Sequence, residues 1–398
     1  MRKRTDFTRG SACVVLSLAA ASLGGCSAAQ RPRPAAQPTA AAAPEAPSAP
    51  EAGTEGGMSP AAAKLYAAGL AAFASGDLKA AAEQFQQALN VDPGAYPALV
   101  GLASVYERHA EPAKALESYQ AALALAPGYG PALAGEVRLL LSSGRAADAD
   151  ALVRAAAANF PDSAAVLTAR AEVSSVRGDS VTAQELAQRA LKRDPDYRPA
   201  MLTLARDHYR ARRLDLALYT LTAILDGYGQ ENPPRDKNNA DARLLRALIY
   251  GERGRRQAAM DELSAALEAR PDLVEARLLL SAYMLEAGNA AEARPLLEKA
   301  LEYDPSNVFV HLNLGDAYRL LGKPKDALDH LQWVARQDDT LAMVHYNIGL
   351  VYLLSTDLPG VSESAAIDLA IESFEHFKKL EPRAAPASVV IRLGSTPP

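Results

Sequence analysis

This sequence predicts an all-α chain, a solenoid of about nine stacked helix-turn-helix hairpins, and three observations carry that prediction. The first is composition. Of 398 residues 84 are Ala, while aromatics make up only 6%, and Ala loses no side-chain entropy in a helix. The second is a period of 34 residues: Pro93, Pro127, Pro161 and Pro195 are evenly spaced, and Pro271 and Pro305 repeat the interval. The third is a row of alanines. With those prolines as position 32 of each repeat, position 20 reads Ala81, Ala115, Ala149, Ala183, Ala217, Ala259, Ala293, Ala327 and Ala370. At this alanine frequency such a row arises by chance about once in a million.

Each recurring residue has a backbone or packing reason. Small residues at position 8, from Gly69 and Ala103 to Gly315 and Gly349, and at position 20 allow paired helices to approach closely. Larger residues such as Phe85, Tyr119, Leu297 and Phe374 fill the spaces between units. Position 15 is Gly in six repeats, Gly76, Gly144, Gly178, Gly254, Gly288 and Gly322, where a first helix must end in a left-handed residue. The proline at position 32 cannot continue the second helix.

These rows resemble the tetratricopeptide repeat, and the resemblance covers residues 59–382. It implies a right-handed superhelix whose first helices line a concave groove for protein partners. The departures are local. Eight extra residues lengthen the polar loop Asp226–Asn239, nine more fall around Ser355–Ala366, and Asp339 replaces the proline of repeat eight. The tail 383–398 has no period and is expected to fray or cap the array.

The N-terminus reads as an address. Arg2, Lys3, Arg4 and Arg9 precede an apolar run from Ser11 to Leu23, too short to span a bilayer but suited to a signal peptide over residues 1–25. The run ends in Leu23-Gly24-Gly25-Cys26, which resembles the lipobox of bacterial lipoproteins. That resemblance implies cleavage before Cys26, diacylglycerol on its thiol and an acylated amino group, and more than one acyl chain gives a stable anchor. Ser27 rather than Asp after the cysteine implies the outer membrane. Residues 26–58 follow as the lipidated cysteine and an Ala/Pro-rich tether with no means of forming a core.

Charge and motifs narrow the function. The net charge of −5 argues against nucleic acid. Both cysteines, Cys13 and Cys26, lie in the first 26 residues, so the repeats contain no disulfide, Cys-rich zinc site or Cys nucleophile. No phosphate-binding, serine-hydrolase, metalloprotease or kinase motif occurs. No catalysis, cofactor, metal or small-molecule substrate is expected. His311 and His345 share position 4 of adjacent repeats, are expected to stack on each other, and read as packing histidines with no close carboxylate to complete a metal site. The arginines Arg210, Arg212 and Arg213 lie at an inter-helix turn and read as exposed; Trp333 reads as a packing residue.

The groove is where a partner is expected. Asn313 and Asn347 hold position 6 of consecutive repeats, where an amide both donates to and accepts from an extended peptide backbone. Repeat consensus explains them equally well. Leu244, Leu248 and Leu278 give the same groove an apolar part, and Arg138, Glu172 and Arg206 a charged one. These leucines also suit packing within the superhelix. The expected function is a lipid-anchored envelope scaffold docking subunits of a multiprotein machine. The alternative is an adaptor of peptidoglycan hydrolases or of pilus or polysaccharide secretion. The last repeat, VHYNIGLVYLLSTDLPGVSESAAIDLAIESFEHFKKLEP, resembles most the adventurous-gliding lipoproteins of myxobacteria.

Overall fold

Left-handed glycines set the register of the helices. In the computed structural model, which describes residues 58–355 and 358–381, the six position-15 glycines have φ between 68° and 84°. Ala110 and Arg212 adopt the same conformation at φ 54° and 60° in repeats two and five, which lack a glycine there. Against those turns the described residues form 18 α-helices in nine pairs. The pairs are α1 (Pro60–Ala74) with α2 (Leu78–Val91), α3 (Tyr96–Arg108) with α4 (Pro112–Leu125), and α5 (Gly130–Ser142) with α6 (Ala146–Asn159). Next come α7 (Ala164–Val176) with α8 (Ser180–Arg193), α9 (Arg198–Arg210) with α10 (Leu214–Leu225), and α11 (Ala240–Glu252) with α12 (Arg256–Ala269). The last are α13 (Val274–Glu286) with α14 (Ala290–Tyr303), α15 (Val308–Leu320) with α16 (Pro324–Gln337), and α17 (Ala342–Leu354) with α18 (Glu363–Leu380). Among the described residues the regular elements are all helices, paired into hairpins of the tetratricopeptide type, as the period predicts. The signal peptide, Leu23, Gly24, Gly25, Cys26, the tether up to residue 57 and the tail 383–398 lie outside the described residues.

Second helices stop where the prolines require. Helix α2 ends before Pro93 and α14 before Pro305, and α16 ends at the same place although Asp339 stands there instead. All nine position-20 alanines are at most 2% exposed, so the row is a row of helix contacts. Position 8 is equally tight. A Cβ on Gly69 would lie 2.5 Å from the Phe85 ring, and one on Gly315 would lie 2.5 Å from Leu331.

The chain divides into two compact units at residues 276 and 277. In the unit to residue 276, first helices pack on their own second helices and on the next hairpin, α5 on α7 and α7 on α9. Its core passes through clusters such as Leu133, Val137 and Val153, then Leu202, Leu221 and Ile249. The long loop 226–239 is fastened rather than loose: Tyr228 stacks on Tyr219 at 5.0 Å, and Arg235 pairs with Asp196 at 2.6 Å. In the unit from residue 277, α15 packs on α16, α17 on α18 and α15 on α17, around Leu312, Leu331, Val334 and Val344. Trp333 packs against this core, as expected. Among the described residues no helix is long and apolar enough to cross a membrane.

One expectation is corrected here. His311 and His345 do not stack on each other. His311 lies over Trp333 at 3.9 Å and beside His330 at 5.0 Å, while His345 lies over His376 at 3.9 Å. The partner of a position-4 ring comes from the second helix of its own hairpin, because the hairpin turn brings position 26 over position 4.

Candidate functional site

In the unit to residue 276 the first helices carry a row of charges that the fold pairs internally. Arg138 on α5 reaches Glu107 on α3 at 2.6 Å, and Arg210 on α9 reaches Glu172 on α7 at 2.9 Å. Arg270, in the turn after α12, bonds Asp241 on α11 at 3.1 Å. Arg108 at the end of α3 meets Asp272 at 2.8 Å with both side chains almost wholly buried. Its guanidinium also donates to the Phe73 carbonyl at 3.0 Å and lies 3.5 Å over the Phe73 ring.

Burial and pairing oppose each other at three of the acids. Burial pushes the Glu172 carboxyl up, but Arg210 and Arg206 outweigh it and hold the group below the usual carboxylate range. Asp207 behaves likewise: burial raises it, while bonds from Ser180, Gln184 and Ser175, with Arg213, bring it below its ordinary value. Glu275 differs. Burial first, then the Asp241 carboxylate, push it up to about 7, against the partial opposition of Arg270 and Arg206.

The turn arginines are also tied down. Arg210 is bound as above, Arg212 meets Glu252 at 2.7 Å, and Arg213 approaches Asp207 at 3.5 Å. Arg210 and Arg212 fasten one repeat to the next, while the Arg213 contact with Asp207 braces its own hairpin.

The predicted groove residues divide between the units. Arg206 on α9 is half-buried beside Glu172, Leu244 on α11 is buried and Leu248 is half-buried, all within the first unit. Leu278, Asn313 and Asn347 belong to the second. Leu278 on α13 is half-buried. Asn313 on α15 and Asn347 on α17 are 6% and 2% exposed. The Nδ2 of Asn313 and the Oδ1 of Asn347 are buried and find no hydrogen-bond partner. On the same helices Arg319 clasps Asp316 at 2.6 Å, where burial raises the Asp316 carboxyl despite the arginine. Tyr346 stands in the field of that pair. Glu107, Asp241, Asp272 and Glu275 were not foreseen as parts of a site. Their signal in the sequence is only a charge at a first-helix end or turn, which solvent accounts for equally well.

Tetratricopeptide-repeat profiles match residues 66–130, 108–173, 240–273 and 284–345, together about half of the chain. The chain belongs to the tetratricopeptide-repeat family. Among curated proteins none matches it. Among solved structures the APC/C hetero-tetramer Cut9-Hcn1 is similar at 18% identity with a TM-score of 0.61, over 81% of this chain and 60% of that one. That likeness shows a shared fold, and this chain spans about 60% of the length of that protein. YrrB, described as a TPR protein with an unusual peptide-binding site, aligns at 18% identity and TM-score 0.43 over 52% of this chain and 99% of its own. The MamA RS-1 ArsTM double mutant aligns at 19% identity and TM-score 0.38, over 46% and 93%. Tetratricopeptide repeats on this scale support a protein–protein interaction scaffold.

Proposed function

We propose that this tetratricopeptide array is a non-enzymatic scaffold, lipid-anchored in the bacterial envelope, that grips an extended segment of a partner protein through Asn313 and Asn347. The observation that carries the reading is the unpartnered pair: a buried amide donor on Asn313 and a buried amide acceptor on Asn347. A buried polar group without a bond costs about 1–3 kcal/mol. A peptide main chain offers a C=O to the first and an N–H to the second. The atoms are buried, so the segment reaches them as the lining side chains move aside. Replacing both residues by Ala is expected to weaken partner capture at least tenfold while shifting thermal stability by no more than a few degrees, since neither orphan atom loses a bond. Crosslinking in intact cells followed by recovery of the bound proteins measures this, and capture unchanged by the double substitution removes the Asn pair from the mechanism.

The anchor rests on Leu23-Gly24-Gly25-Cys26 and the basic residues before them. Ser27 favours the outer membrane, with the array facing the periplasm. Cys26→Ser is expected to move the chain from the membrane to the soluble fraction; a variant that still sediments fully with membranes sinks the lipoprotein reading. The partners are subunits of an envelope machine, with gliding motility favoured by the form of the last repeat. The alternative is an adaptor of envelope enzymes, supported by the same N-terminal residues and distinguished by recovery of hydrolases in place of motility or secretion subunits.

A further inference from the structure

The last hairpin repeats the geometry of the one before it, with two substitutions that change its chemistry. In repeat eight, His311 at position 4 stacks on Trp333 at position 26, with centroids 3.9 Å apart and planes at 23°. Its Nε2 lies 3.1 Å from the carbonyl oxygen of Pro305, which holds position 32 of repeat seven. In repeat nine, His345 stacks on His376 at 3.9 Å and 26°, and its Nε2 lies 3.0 Å from the carbonyl oxygen of Asp339. The stack and the carbonyl contact are therefore common to both hairpins and are structural. What is particular to the last is that Trp has become His and Pro has become Asp.

Those two exchanges put three metal-binding groups on one point. The Asp339 carboxylate lies 3.2 Å from His345 Nε2 through Oδ1 and 3.6 Å from His376 Nε2 through Oδ2. One ligand atom from each of the three residues falls within 4.8 Å of the others. Donors about 2.0–2.1 Å from a tetrahedral zinc ion stand about 3.3 Å apart, so the carboxylate-to-imidazole spacings are already those of a coordination shell. His345 is buried, and its hairpin holds the ring in place. His376 and Asp339 are open to solvent, which leaves an entry path and room for a water as a further ligand.

We propose that Asp339, His345 and His376 form a binding site for a zinc-class divalent transition ion. The donor set of two imidazole nitrogens and one carboxylate suits such ions and not Mg²⁺ or Ca²⁺, which take oxygen ligands. On binding, His345 moves its proton from Nε2, which donates to the Asp339 carbonyl oxygen without the ion, to Nδ1; both imidazoles then offer Nε2 lone pairs, and that carbonyl oxygen is a further oxygen donor at hand. Coordination ties the turn between α16 and α17 to α18 and so locks the terminal hairpin.

The test uses the full chain with both thiols alkylated and bound metal stripped by chelator. Calorimetric titration with Zn²⁺ alone is expected to give one ion per chain, and Co²⁺ a tetrahedral visible spectrum. His376→Trp keeps the stack, because Trp fills that place in repeat eight, and removes one donor. Asp339→Asn alters an exposed side chain and removes the carboxylate. Each is expected to weaken zinc by more than the ~10–100-fold that follows loss of a mere supporting partner, with circular dichroism unchanged. His330→Ala, in the neighbouring hairpin, should bind as the parent does. Absence of saturable zinc binding overturns the proposal, as does binding that survives both His376→Trp and Asp339→Asn or that is lost in His330→Ala.

Discussion

Arg108→Met is expected to destabilise the unit to residue 276 by about 3 kcal/mol, read as a lower urea midpoint. The methionine keeps the apolar stem but takes the 2.8 Å ion pair from the Asp272 carboxylate, which is almost wholly buried and lies 4.0 Å from Arg270 Nε. It also takes a donor from the Phe73 carbonyl and a cation from the Phe73 ring. The cost is chiefly the orphaned charge, because breaking a buried pair leaves one ion without water or partner. Asp272→Asn added to Arg108→Met should then recover at least half of the loss. A double variant as unstable as the single one would show that packing, not charge, carries the effect.

Glu275→Gln is expected to stabilise the same unit at pH 8 by about 3 kcal/mol and to change little at pH 4. The direction follows from the raised carboxyl. Its ordinary value is 4.5 and the folded chain holds it near 7. Between those values the folded state keeps a proton that the unfolded state has released. Stability therefore falls as pH rises through that window, and the full penalty is present above it. Gln mimics the protonated acid at every pH, so it removes the penalty while leaving Asp241, Arg270 and Arg206 in place. Urea unfolding of both proteins at the two pH values isolates Glu275, since other titrating groups cancel in the difference. An equal gain at both would refute the assignment.

Much of this architecture was legible in the residues. Every position-20 alanine is buried, and every position-15 glycine has the left-handed conformation its place requires. These features are local or repeat at one interval, so spacing alone exposes them. Ala110 and Arg212 show the limit, because they adopt the glycine conformation with side chains that give no hint of it. The charges were harder still. Arg138 and Glu172 read as an open surface awaiting a ligand, whereas each has its counter-ion on a neighbouring first helix. The histidines failed for a related reason. A shared position 4 in successive repeats says that two rings lie on equivalent helices, but the crossing of each hairpin decides what lies over them. Asp339 was visible as a missing proline and not as the carboxylate beside His345.

By itself, then, the sequence determined the repeat: where helices begin and end, which small residues let them touch, and that nothing in the array bears a known catalytic motif. Backbone conformation and close packing are demanded at the same place in every unit, so they leave a period. The tertiary structure decided the pairings. Arg108 and Asp272 stand on the second and sixth repeats, and His345 and His376 on the two arms of one hairpin. Such contacts depend on how successive hairpins cross and curve, a small rotation at each step that accumulates along the stack and that no single residue encodes.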